Sequence, residues 1–443
     1  MLDPISSLPM LPIRYGMTSV VAVYGSDSVD LPRSSRLTLS QKKSTGFLHL
    51  DRRDGLASEG IKIDAGFWYA DFAVGGASNL SLLIDIGSGD IVVNPGIYVP
   101  GKKSKNLNIT FENTYGTTSK DGTGSATIVG DLYSDKVTFG GLTATQIVGS
   151  ANGTSPLQKS GIAGFSGQRF NQFPASSNAT PFFQSLCDQK KVSECRFGLA
   201  LSDDGTGTQI LGELDTSLYT GDLVVAPIIE NWVLLGDLVV GGEVQERDMV
   251  IELDSGTATI VGPIVTVSAI FNATGIQGVL RSTSEGDLLT GYFPCDKPPT
   301  VGFNFPSKTN ASVAAKDSSS AISTKSSIFN IPLNAWAAVD NGNNNCTAVL
   351  SGQNYEAHPG LWVIGQPFFQ GFYIDHNLEN GTVGFATLKR TSPGSTTAST
   401  ASMPTPTGDT IIHKHSAWAM LVLAFSLVVI VTMKGDVAFY VVY

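Results

Sequence analysis

Leu83-Ile84-Asp85-Ile86-Gly87-Ser88-Gly89 and Val250-Ile251-Glu252-Leu253-Asp254-Ser255-Gly256-Thr257 are two versions of one pattern. Each is a run of mainly apolar residues, then an aspartate, then a turn of small residues. An aspartate at the end of an apolar strand is costly to bury unless it is paired or used. Two of them in matching settings point to a duplicated unit that brings two carboxylates together. Carboxylates sharing one site cannot both ionise easily, so one keeps a proton while the other stays charged. Such a pair supplies an acid and a base for hydrolysis.

Further segments follow in a fixed order. After Asp85 come Thr114-Tyr115-Gly116-Thr117, Ser160-Gly161-Ile162-Ala163-Gly164-Phe165, Ile210-Leu211-Gly212-Glu213-Leu214-Asp215 and Tyr219-Thr220-Gly221. After Asp254 come Leu361-Trp362-Val363-Ile364-Gly365-Gln366-Pro367-Phe368-Phe369, then Phe372-Tyr373 and Val383-Gly384-Phe385-Ala386. In this order the chain resembles the pepsin-like aspartic proteases. Each lobe of such a protein supplies one Asp from a D-[TS]-G-[ST] turn. The resemblance implies an all-β, bilobal fold with pseudo-twofold-related β-rich lobes and a cleft between them. It also implies an endopeptidase acting on protein or peptide substrates at acidic pH, as a monomer, with no cofactor and no metal.

By the same resemblance Asp85 and Asp254 hold one water. The ionised carboxylate takes its proton as it attacks the peptide carbonyl, and the protonated partner stabilises the oxyanion. Ser88 and Thr257 are expected to orient the carboxylates, with Gly87 and Gly256 allowing the tight turns. Tyr115 is expected on a flap over the substrate, although Asp121-Gly122-Thr123-Gly124-Ser125 offers another flap tip without a tyrosine. Two positions depart from the family. Ile86 stands where a Thr or Ser hydroxyl normally crosses between the lobes, while Ser255 keeps the equivalent hydroxyl. Val92 stands where a Trp that supports the flap tyrosine is common. These departures keep a second reading open: a weak or inactive homologue that binds peptides or acts as a cell-surface interaction protein. A β-rich adhesin would explain neither Asp turn.

Composition agrees with strands and turns. The 443 residues include 48 glycines and only 15% charged residues, and Val, Ile, Thr, Phe and Tyr recur in short runs between Gly, Asn, Asp and Ser. Asp135-Lys136-Val137-Thr138-Phe139-Gly140-Gly141 is typical, alternating and then turning on glycine. With 28 Lys and Arg against 38 Asp and Glu and no basic stripe, nucleic acid is not an expected partner. Gly96 to Lys103 falls short of a phosphate loop, lacking the final Ser or Thr. Asp375-His376 has no G-x-S-x-G elbow to complete a serine triad, and His376 is expected in a surface turn.

Cys187/Cys195 and Cys295/Cys346 lack zinc-site spacing with nearby histidines and read as two local disulfides, with four buried thiols as the alternative. Eight N-x-[ST] sequons, at Asn79, Asn108, Asn152, Asn178, Asn272, Asn310, Asn345 and Asn380, point with the cysteines to the secretory pathway. Residues 1–60 read as a leader or propeptide, with Lys42-Lys43 and Arg52-Arg53 as processing sites. The N-terminal lobe is expected over 61–225 and the C-terminal lobe over 226–390. A Ser/Thr/Pro-rich stalk over 391–416 precedes the uncharged apolar run 417–433 and a short tail, 434–443. That run is expected to attach the protein to a membrane, as a span or as a GPI signal, at the cell surface or in a vacuolar or extracellular location.

Overall fold

The structure is a computed structural model that describes residues 35–40 (backbone only), 67–116, 125–203, 205–283, 286–305, 327–355 and 358–389. Most of Asp121–Ser125, Asn310, both basic pairs, the stalk and the apolar run 417–433 lie outside these residues. Among the described residues no helix is long and apolar enough to cross a membrane.

Strand is the main secondary structure of the described residues, and helices are few and short. Long hairpins turn on Gly-Gly pairs that the alternating pattern marks in advance. Strands Ser125–Phe139 and Leu142–Asn152 pair with Phe139 opposite Leu142, and Val233–Val240 and Glu243–Leu253 pair with Val240 opposite Glu243. The intervening Gly140-Gly141 and Gly241-Gly242 all have positive φ, from 57° to 89°. That is the two-residue hairpin turn whose twist matches the strands and which glycine adopts without strain. The helix Ile264–Thr274 starts behind Pro263 and stops at left-handed Gly275, so its ends too are written locally.

The two halves repeat one topology. Strand Ala77–Asp85 runs parallel to Gly161–Gly164, which is antiparallel to Ile91–Val93, which is parallel to Leu142–Asn152. In the second half Glu243–Leu253 runs parallel to Leu361–Ile364, which is antiparallel to Ile260–Gly262, which is parallel to Cys346–Gln353. In each half the chain leaves an Asp, makes a turn and returns beside a short apolar strand. The apolar-apolar-Gly segments are those short strands. They are buried on both faces, which is why they read as continuous apolar runs.

A further sheet joins the halves. Strands Thr206–Leu211, Arg196–Leu201, Phe372–Asn377, Thr382–Leu388 and Tyr219–Glu230 lie side by side. Strand Ser35–Ser40 pairs on its edge with Thr206–Leu211, inside the segment expected to be a leader. Behind this sheet Phe197 meets Phe165, Phe183 and Trp232, and the Trp232 Nε1–H donates to the Phe165 carbonyl at 3.0 Å. Both cysteine pairs close as disulfides, Cys187–Cys195 and Cys295–Cys346, with Cα separations of 5.5 and 5.1 Å.

His376 corrects the expectation of a surface turn. It lies within strand Phe372–Asn377, fully buried, stacked on Phe197 at 4.5 Å with Trp232 edge-on at 4.8 Å. Burial pushes its pKa down to about 3, so it stays a neutral ring in the core. Its neighbour Asp375 is held by Arg196 across the sheet through two hydrogen bonds of 3.1 and 2.8 Å, and both side chains are buried. Removing one partner of a buried ion pair strands the other charge. Arg196→Met should therefore lower unfolding free energy by about 3–5 kcal/mol, read from urea denaturation; a loss below about 1 kcal/mol would show that the pair is solvated.

Candidate active site

Each aspartate closes its own turn in the same way. The Gly87 N–H donates to Asp85 Oδ1 at 2.8 Å and the Ser88 hydroxyl to Asp85 Oδ2 at 2.5 Å. In the other half the Gly256 N–H donates to Asp254 Oδ1 at 2.7 Å and the Thr257 hydroxyl to Asp254 Oδ2 at 2.5 Å. These donors are the small residues of the two quoted turns. They fix each carboxylate from behind, leaving the remaining lone pairs aimed at the opposite turn.

The turns interlock. A Cβ added to Gly87 would sit 2.5 Å from Asp254 Oδ1, and one added to Gly256 would sit 2.4 Å from Asp85 Oδ1. Neither position can accept a side chain without driving the carboxylates apart. The Ser255 hydroxyl crosses the gap. It accepts from the Ile86 N–H at 3.1 Å and donates to the Ile84 carbonyl at 2.8 Å. Ile86 has no hydroxyl to return the contact and is packed in the core instead. Gln366, the first residue of the short helix Gln366–Phe369, supports Ser255 by donating to its carbonyl at 2.8 Å.

Both aspartates are buried, and burial is the largest influence on each. Desolvation raises the Asp85 pKa, opposed by its hydrogen bonds from Ser88 and Gly87. Desolvation, then the charge of Asp85, raises Asp254 further. A hydrogen bond links the two carboxyls, so they titrate as one coupled pair. The pair therefore holds one proton between them, one carboxyl neutral while the other is charged.

Two more buried carboxyls lie beside the pair. Glu252 is on the same strand face as Asp254, two residues before it, and is 2% exposed. Its Oε2 has no hydrogen-bond partner among the described residues. Desolvation, then the charges of Asp254 and Asp85, raise its pKa well above the ordinary value. Asp90 follows the first turn and is 1% exposed, and burial raises its pKa to about 7. Glu252 is marked in the sequence itself, as the one charge within the apolar run that leads to Asp254. Asp90 carries no comparable mark.

Tyr115 ends strand Lys105–Gly116, with Ala126 opposite it on Ser125–Phe139. Its ring is fully buried, and its phenol is close enough to Asp90 and Asp85 for both charges to raise its pKa, after desolvation. Elsewhere Cys295, Asp340 and Cys346 cluster within ligand distance of one another, but both sulfurs are joined in the disulfide and cannot act as thiolate ligands.

Ser255 makes two hydrogen bonds that cross between the turns. Ser255→Ala should remove them together and leave a buried N–H and a buried carbonyl without their partner. The expected loss is about 2–3 kcal/mol of unfolding free energy, with a larger fall in activity than stability alone explains. Urea denaturation and a peptidase assay on the same sample would check it; unchanged stability would mean that other groups take over both bonds.

Comparison with known proteins agrees with this geometry. The family described as "Eukaryotic aspartyl protease" matches residues 68–388, well over half of the chain. Secreted aspartyl protease 1 of Malassezia globosa is 30% identical over 367 residues, covering 79% of this chain and 84% of the relative. Aspartic protease of Phaffia rhodozyma is 26% identical, covering 78% of this chain and 82% of its own length. Pepsin A of Sus scrofa is 27% identical over 328 residues, covering 70% and 78% respectively. The chain belongs to the eukaryotic aspartyl protease family and is an aspartic endopeptidase.

Proposed function

We propose that Asp85 and Asp254 are the catalytic pair of this endopeptidase, activating one water between them. The observation that carries this reading is the interlock of the two turns, each glycine lying against the other turn's carboxylate. The ionised carboxylate of the pair takes the proton of the water as it attacks the scissile carbonyl, and the protonated partner stabilises the developing oxyanion. Ser88, Thr257, Gly87 and Gly256 hold the carboxylates, and Ser255 holds the turns together. Tyr115 closes the flap over the site. The hydroxyl missing at Ile86 does not argue for an inactive homologue, because Ser255 alone bonds both Ile84 and Ile86.

The wider assignments belong to the same proposal. Lobes over 61–225 and 226–390 each contribute one aspartate, and residues 1–60 are a leader removed at Lys42-Lys43 or Arg52-Arg53. The disulfides and exposed sequons support passage through the secretory pathway. Asn79, Asn108, Asn152, Asn178, Asn272 and Asn345 are exposed and Asn380 is half-buried. The relative named as a secreted protease supports the same route. Attachment to a membrane rests on the apolar run 417–433 alone.

Purified protein should degrade denatured casein or haemoglobin at about pH 3–5 and be blocked by the inhibitor pepstatin, while Asp85→Asn and Asp254→Asn each lower kcat by at least about a thousandfold. Activity that survives either substitution would remove the pair from the mechanism.

An acid working range also follows from linkage. Asp85, Asp90, Glu252 and Asp254 all have raised pKa values in the folded chain. Above about pH 4 the unfolded chain releases these protons while the folded chain keeps them, so stability must fall as pH rises towards neutral. Glu252→Gln removes one such group, so its melting temperature should fall less than that of the wild type between about pH 4 and pH 7. Parallel curves for the two proteins would show that Glu252 ionises freely.

A further inference from the structure

We infer that Asp90 and Asn113 are positioning residues for catalysis, holding the Tyr115 phenol beside Asp85 through hydrogen bonds that leave its proton free to donate. The inference rests on the placement of Tyr115 in the flap proposed above.

Asn113 and Tyr115 lie two residues apart on one face of strand Lys105–Gly116, and both are fully buried. The Asn113 side-chain amide has two protons. One is donated to Asp90 Oδ2 at 3.0 Å and the other to the Tyr115 hydroxyl at 3.1 Å. Because the phenol oxygen accepts this bond, its own proton remains available to a neighbour or a substrate. Asp90 is anchored in turn by the Gln172 N–H at 2.7 Å. The Gln172 side chain grips the backbone of Thr114, accepting from its N–H at 2.9 Å and donating to its carbonyl at 3.2 Å. One loop thus clamps both the strand that carries the tyrosine and the carboxyl that orients the amide. Position 92 carries a buried Val, whose side chain has no group to hydrogen-bond the tyrosine.

The protonation state of Asp90 completes the picture. Asp90 Oδ1 and Asn113 Oδ1 are both buried acceptors without a hydrogen-bond partner among the described residues. A proton on Asp90 turns one of these acceptors into a donor that can satisfy another. With a pKa near 7, raised by burial, Asp90 carries that proton throughout the acid range. Among the described residues, the other titratable groups facing this cluster are Tyr115 itself and Asp85.

The test is a double-mutant cycle in the full-length protein, using a fluorogenic peptide taken from a casein cleavage site. Tyr115→Phe and Asn113→Leu should each lower kcat about tenfold with KM within about twofold, and the double variant should be no worse than Tyr115→Phe alone. Losses that multiply to about a hundredfold would show that Asn113 does not act through the phenol, and would overturn the inference. A Tyr115→Phe variant with wild-type kinetics would instead defeat the flap assignment beneath it. A second arm covers a failure of Asn113→Leu to fold. Asp90→Asn, an amide mimic of the neutral acid, should stay within about twofold of wild type at pH ~4 while Asp90→Ala loses about tenfold. Equal losses in these two variants would overturn the role of Asp90.

Discussion

Two carboxyls held close enough to share a proton, both out of contact with bulk water, are the constraint around which this molecule is built. Leaving such groups buried without partners would cost several kcal/mol each. The surrounding chain offsets that cost with N–H and O–H donors from the same turns, two per aspartate. Glycine is required where each turn presses on the other's carboxylate, and the Ser255 hydroxyl bonds one turn to the other. The repeated strand topology of the two halves delivers these turns face to face.

Two more carboxyls are buried, one in the same half of the interior as each turn. Asp90 and Glu252 add two carboxyls that burial drives towards the neutral form. Neither would be tolerated as an anion at low cost, yet as neutral acids both are small polar groups able to donate as well as accept. Site and scaffold thus favour the same proton-rich conditions. The proposed catalysis needs one shared proton, and the fold is most comfortable when its other buried acids are protonated as well.

What the sequence disclosed was whatever is written within a few neighbouring residues. The Asp turns, the Gly-Gly hairpins and the cysteine pairs depend on local spacing and stand in the structure as the pattern implies. Contacts between distant segments were not legible. Asp90, Asn113 and Gln172 converge from three separate parts of the chain, and nothing in the neighbours of any one names the others. His376 misled because a histidine after an aspartate resembles a turn, whereas pairing with Phe197 across the sheet decides its burial. Leu37 and Leu39 alternate with Arg36, Thr38 and Ser40, a short strand signal in a segment otherwise read as a leader. Glu252 is conspicuous in its apolar run, and only its neighbours in space give it meaning.

Ser255 also says something about symmetry. Two identical halves related by a true twofold axis would have to carry the same residue at both crossing positions. Isoleucine at both would leave no hydroxyl between the turns, and serine at both would supply two. This chain carries one of each, and the single serine makes both bonds. That economy is open to halves whose sequences differ, as the two halves of one polypeptide can. Ile86, without that duty, is given over to the hydrophobic core.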